Sequence, residues 1–175
     1  MMIKKCITVL LICLTPSLGL GQDQKTSQVL TQEQQTKIDY FNNAIGTGLD
    51  YSPISLKLYL FIFDWIGKPY RFGGESKKGI DCSALARELY NKVFEVHIPR
   101  SSNQQYSYVN VIHKNEIQTG DLIFFKIKSK SITHVGVYIG DNKFIQASNE
   151  GVNIASLHEY YWNKYYFRAG RLNKM

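Results

Sequence analysis

The chain of 175 residues carries 21 Lys and Arg against 14 Asp and Glu, a formal net charge of +7, and has three cysteines. With residues 1–21 set aside as an export segment, the ~150 that remain suit one domain with its own core and leave no room for a second. Loss of Lys4 and Lys5 with that segment takes the charge to +5; the remaining lysines are dispersed and lack a nucleic-acid motif, which fits a solvated basic surface with weak preference for anionic polymers or lipid and argues against nucleic acid.

Residues 1–21 have the layout of a secretory signal: Lys4 and Lys5, the apolar run Ile7 to Leu14, then Pro16, Ser17 and mostly small residues to Gly21. The run is too short and wrongly flanked for a membrane span, so the chain is expected in the periplasm or cell envelope. Acylation at Cys13 is disfavoured by bulky Ile12 directly before it. Since Cys6 and Cys13 leave with the signal, Cys82 is the one cysteine of the exported chain, which rules out an internal disulfide and favours a reactive thiol.

Residues 22–50 are polar and glutamine-rich, a partly disordered tether suited to peripheral membrane or wall contact. The domain is assigned to residues 51–175. Ser52-Pro53 is an N-cap followed by proline at the first helical position, and Ile54, Leu58, Phe61, Ile62 and Trp65 then share one side up to Gly67, predicting a buried helix. A second helix is predicted over 81–94, capped by Asp81, with Leu85, Leu89 and Val93 on its inner face and Cys82 in its first turn. Beyond Pro99 the pattern changes to strands at 121–125, 135–139, 144–147, 152–155 and 167–172. Helices first and strands afterwards describe an α+β domain in which the Cys82 helix packs on an antiparallel sheet of five or six strands; a monomer is expected.

A thiol is a nucleophile as thiolate, and the first turn of a helix favours that charge. It also needs a base. Of four histidines, His97, His113 and His158 lie in polar, surface-like contexts. His134 opens an alternating strand whose other face carries Val135, Val137 and Ile139, with Gly136 beside it expected to leave open space. A lone histidine there is more often structural, but the company of Cys82 shifts the balance to a base. If Gly140-Asp141-Asn142 form a loop, Ile139 faces Lys143, and Gln146 lies on the face of His134, diagonal to it; a two-residue loop would put Gln146 on the opposite face. One cysteine and scattered histidines lack zinc-ligand spacing, and the chemistry calls for no cofactor.

These residues fall within longer ordered blocks: Gly67-Lys68-Pro69-Tyr70-Arg71-Phe72-Gly73-Gly74, Asp81-Cys82-Ser83, Ile98-Pro99-Arg100-Ser101-Ser102 with Gln105, Gly120-Asp121-Leu122-Ile123-Phe124-Phe125, His134 to Gly140, and Phe144-Ile145-Gln146-Ala147-Ser148. Over roughly residues 60–172 the chain resembles the NlpC-type cell-wall cysteine peptidases, a papain-like family that cleaves peptide stems of bacterial peptidoglycan. The resemblance implies Cys82 as nucleophile, His134 as general base and Gln146 as the polar residue that orients the histidine. It implies a substrate or oxyanion role for Tyr70, and binding of the free amino end of the stem peptide for Asp81 and Arg100, with Ser83 beside them; against this, Tyr70 could be core, Asp81 a cap and Arg100 an ion-pair partner.

Two positions depart from the usual family pattern. Ala84 stands where glycine usually follows Asp-Cys-Ser, a small change inside a helix. Gln146 stands where histidine is frequent, yet an amide oxygen still accepts from an imidazole N–H. The implied reaction is thiol attack on a stem-peptide amide; the competing readings are an amidase or acyltransferase with the same site, and a catalytically weak wall-binding protein.

Overall fold

The computed structural model describes residues 31–33, 35–36, 38–39 and 52–172, so the export segment, Cys6 and Cys13 lie outside the described residues. Within the stretch read as a tether, the described residues from 32 to 39 are helical and Ile38 is buried.

Helix α1 (Pro53–Trp65) starts where the Ser52 hydroxyl accepts the Ser55 N–H, with Pro53 at the first turn. Leu58, Phe61, Ile62 and Trp65 are buried as the spacing requires, but Ile54 is 50% exposed. It sits a turn too early, at the rim beside Val93 and Phe94. Two short strands, β1 (Glu75–Ser76) and β2 (Gly79–Ile80), pair with each other, and Tyr70 bridges Ile80. Helix α2 (Cys82–Leu89) continues as a π-helical turn over Tyr90–Phe94, ended by Glu95 in the left-handed region (φ 59°). Helix α3 (Ser102–Ser107) begins with a reciprocal capping box between Ser101 and Gln104, a local signal that outweighs the strand pattern expected past Pro99.

Strands β3 (Asn110–Ile112), β4 (Leu122–Phe125), β5 (His134–Gly140), β6 (Lys143–Ser148), β7 (Gly151–Ser156) and β8 (Tyr166–Arg171) form one antiparallel sheet of six, ordered β3-β8-β4-β5-β6-β7. One face, carrying Leu122, Phe124, Val135, Val137, Ile145 and Val152, joins the core side chains of α1 and α2. The other, with Ile123, Phe125, Phe144 and Ala169, is covered by Trp162 of α4 (Tyr160–Tyr165). Burial on both faces explains why β4 is apolar throughout.

The β5–β6 hairpin reaches the expected face by another route. Asp141 and Asn142, with φ of 47° and 56°, make a two-residue turn of the type such hairpins favour, and Gly140 pairs with Lys143. A register shift between Tyr138 and Gly140 then restores the pairing Val137 with Ile145 and Tyr138 with Phe144. The extra residue of that bulge returns Gln146 to the face of His134. Nor is the space beside Gly136 open: a Cβ there would lie 2.4 Å from Phe144 Cδ2. Gly136→Ala is therefore expected to cost about 2 kcal/mol through overpacking, read as a lower urea midpoint at unchanged slope.

Candidate active site

Cys82 occupies the first residue of α2, where the Asp81 side chain caps the helix through the Ala84 N–H at 2.8 Å. The residue is 9% exposed, and its sulfur reaches the start of β5, where the Val135 amide bonds to it. Burial pushes the thiol up to about 11, helped by the Asp81 charge, against the lowering influence of the Val135, Ser83 and Cys82 amides. The helix start was expected to favour thiolate. Desolvation wins because the amides act on a sulfur almost withdrawn from water.

His134 precedes Val135, which brings it to the strand end that meets the thiol. Its imidazole is stacked on Trp162 (ring centroids 5.3 Å, 27° between planes) and is held down at about 4 by burial, partly offset by the hydrogen bond to Gln146. Nε2 of His134 lies 2.5 Å from Oε1 of Gln146, so the amide oxygen accepts the Nε2 proton and Nδ1 carries the free lone pair. Gln146 in turn donates from Nε2 to Oδ1 of Asn153 at 3.1 Å. Neutral thiol and neutral imidazole are the resting forms that this burial favours.

Asp81, 6% exposed, is surrounded by donors: the Gly73 and Ala84 amides, the Ser83 hydroxyl, and Arg100 through both Nη1 (2.9 Å) and Nη2 (2.7 Å). Burial would raise its carboxyl, but Arg100, the Ala84 amide and Ser83 together hold it below the usual range. Arg100 also donates to Ser83 Oγ at 2.9 Å and to Glu75 at 2.5 Å. The geometry makes Asp81, Ser83 and Arg100 a clamp on the start of α2. Tyr70 is half-buried, its hydroxyl pushed up by burial and by the nearby Cys82 and Asp81 charges.

Tyr70, His134, Gln146, Asn153 and Trp162 line one cleft of about 660 Å³. His97, His113 and His158 are exposed and outside it. Sequence reasoning missed Asn153 and Trp162. Asn153 was in reach, because the turn between β6 and β7 sets it opposite Gln146; Trp162 arrives from α4, which no local pattern ties to His134.

A cysteine at a helix start, a histidine opening the strand against it and an amide on the next strand, in an α+β frame with an antiparallel sheet, describe a papain-like domain. The sequence model of the NlpC/P60 family matches residues 67–171, and the chain belongs to that family. It is 44% identical over 110 residues to a probable endopeptidase NlpC homolog of Haemophilus influenzae, covering 62% of this chain and 58% of that one. It is 37% identical over 143 residues to the murein DD-endopeptidase MepS/murein LD-carboxypeptidase of Escherichia coli, covering 81% and 73%. Among solved structures, a Staphylococcus aureus protein of the NLP/P60 family, described as similar to lipoprotein, superposes with a TM-score of 0.63 at 31% identity, covering 72% of this chain and 43% of that one.

Proposed function

We propose that this protein is a cysteine endopeptidase of the cell envelope that cleaves amide bonds in peptidoglycan stem peptides, with Cys82 as nucleophile and His134 as base. The observation that carries the reading is the pinned imidazole: Gln146 Oε1 accepts the hydrogen bond of Nε2–H, which leaves Nδ1 to receive the thiol proton. As the sulfur attacks the amide carbonyl, that proton passes to Nδ1. The first-turn amides of Cys82 and Ser83, which already act on the sulfur, stabilise the oxyanion. Nδ1–H then protonates the departing amine. Water, deprotonated by His134, attacks the thioester, releasing the carboxylic acid and restoring the thiol.

Tyr70 sits at the cleft beside Cys82 and is the candidate substrate contact on that side. Asp81, Ser83 and Arg100, engaged with one another, serve chiefly to position α2. The endopeptidase names of the Haemophilus and Escherichia relatives support this substrate class.

The test is mass spectrometry of products after incubation with peptidoglycan and with defined stem-peptide fragments, for the intact protein and for Cys82→Ala. New peptides are expected from the intact protein alone. Equal products from both proteins would remove Cys82 from the chemistry, and none from either would remove the substrate class.

A further inference from the structure

His134 on β5, Gln146 on β6 and Asn153 on β7 form a row across three adjacent strands, and its last member has no assigned role. Gln146 and Asn153 are direct cross-strand partners. A glutamine amide is nearly symmetric in shape, so its usefulness beside a histidine depends on which end faces the ring. With oxygen toward Nε2, the imidazole keeps its proton there and Nδ1 is basic. With the NH2 end toward Nε2, the proton moves to Nδ1 and the base is lost.

The hydrogen bonds beyond Gln146 select the first arrangement. Asn153 Nδ2 lies 3.4 Å from the Gly151 carbonyl, which only accepts, and 3.1 Å from Ser148 Oγ. That orients the Asn153 amide with Oδ1 toward Gln146, where it accepts the Nε2 donor at 3.1 Å. The Gln146 oxygen is thereby left for His134. A flip of Gln146 would set its oxygen against Asn153 Oδ1 or, if Asn153 turned as well, force the Asn153 oxygen against the Gly151 carbonyl. The anchor itself is held: the Val152 N–H donates to Lys68 O and the Gly67 N–H to Val152 O, both at 2.8 Å. Gly151 has φ 86°, and a Cβ there would stand 2.7 Å from Lys68 O.

We propose that Asn153 is a positioning residue for the proposed reaction: anchored on the Gly151 carbonyl, it fixes the orientation of the Gln146 amide and through it the tautomer of His134. The inference rests on the thiol-hydrolase reading for its kinetic consequence, but not for its structural one. The balance of protons is unchanged; only the ring nitrogen that holds the resting proton is decided.

The experiment combines 15N spectra of histidine-labelled protein with kinetics on a soluble stem-peptide fragment for wild type, Asn153→Ala, Asn153→Asp, Gln146→Ala and the Asn153→Ala/Gln146→Ala double variant. Wild type is expected to show His134 protonated at Nε2. Asn153→Ala is expected to move population to Nδ1–H and lower kcat about tenfold with KM little changed, the size of one well-placed hydrogen bond. Asn153→Asp keeps an acceptor for the Gln146 amide but sets its other oxygen toward the Gly151 carbonyl, so it is expected to retain the wild-type tautomer at a cost in stability. In the Gln146→Ala background, removing Asn153 is expected to add no further loss. An unchanged tautomer in Asn153→Ala, or full additivity in the double variant, overturns the proposal. If wild type turns over no stem peptide, the functional reading fails while the spectra still decide the role of Asn153.

Discussion

Replacement of His134 by alanine is expected to lower turnover of a stem-peptide substrate about a thousandfold, the middle of the range for loss of a positioned general base. The same group sets an unusual pH profile. Burial brings His134 down to about 4 and pushes the Cys82 thiol up to about 11. The imidazole is the active base only when neutral, so kcat/KM is expected to fall on the acid side near pH 4, well below the range of an ordinary histidine. The thiol contributes no rise near neutrality, because its proton leaves in the attack step itself. A plateau from about pH 5 to about pH 9 follows, and iodoacetamide should alkylate Cys82 slowly throughout it. Fast alkylation already near pH 5, with activity falling on the alkaline side as an imidazolium loses its proton, would instead reveal a thiolate–imidazolium pair and overturn the neutral-pair reading.

Arg100→Ala is expected to be the most destabilising change outside the apolar core, at about 3 kcal/mol at pH 7, because it strands a buried carboxylate. Asp81 has a side chain 9% exposed and loses both bidentate bonds, while Ser83 and Glu75 each lose a donor. The pH dependence follows from the sign of the Asp81 shift. In the wild type its carboxyl lies below the usual value, so the stability it contributes is present above the unfolded value and is lost as pH falls through the folded one. In the variant, burial remains without Arg100, the carboxyl rises above its unfolded value, and folding is penalised as pH rises. The gap between wild type and Arg100→Ala should therefore be widest near neutrality and narrow toward about pH 3. Urea unfolding at both pH values measures it, and a gap under about 1 kcal/mol at pH 7 would show Arg100 to be a surface ion-pair partner only.

The legible parts of the site were those written in local patterns. Cys82 stood out because Asp81 caps a helix whose apolar spacing is regular, and His134 because it opens a strand of strict alternation. Gln146 was placed on the correct face from a loop of the wrong length: the hairpin turns on Asp141 and Asn142, and a bulge supplies the missing residue. Bulges are set by how strands pack, which one strand's sequence does not record. Strand β3 and helix α4 were missed for related reasons. The first is short and half-exposed, and the second is an aromatic-rich turn whose single buried residue, Trp162, has meaning only against Phe125, Phe144 and His134.

By itself the sequence determined the candidate side chains for the chemistry, the α+β order of the elements and the blocks that mark the family, because capping, periodicity and motif order are properties of neighbouring residues. Only the tertiary structure decided the protonation of the pair, the engagement of Asp81 with Arg100 and the row that runs from His134 to Asn153. Those depend on desolvation and on distances between strands far apart in the chain, and both come into being only when the sheet closes over the start of the Cys82 helix.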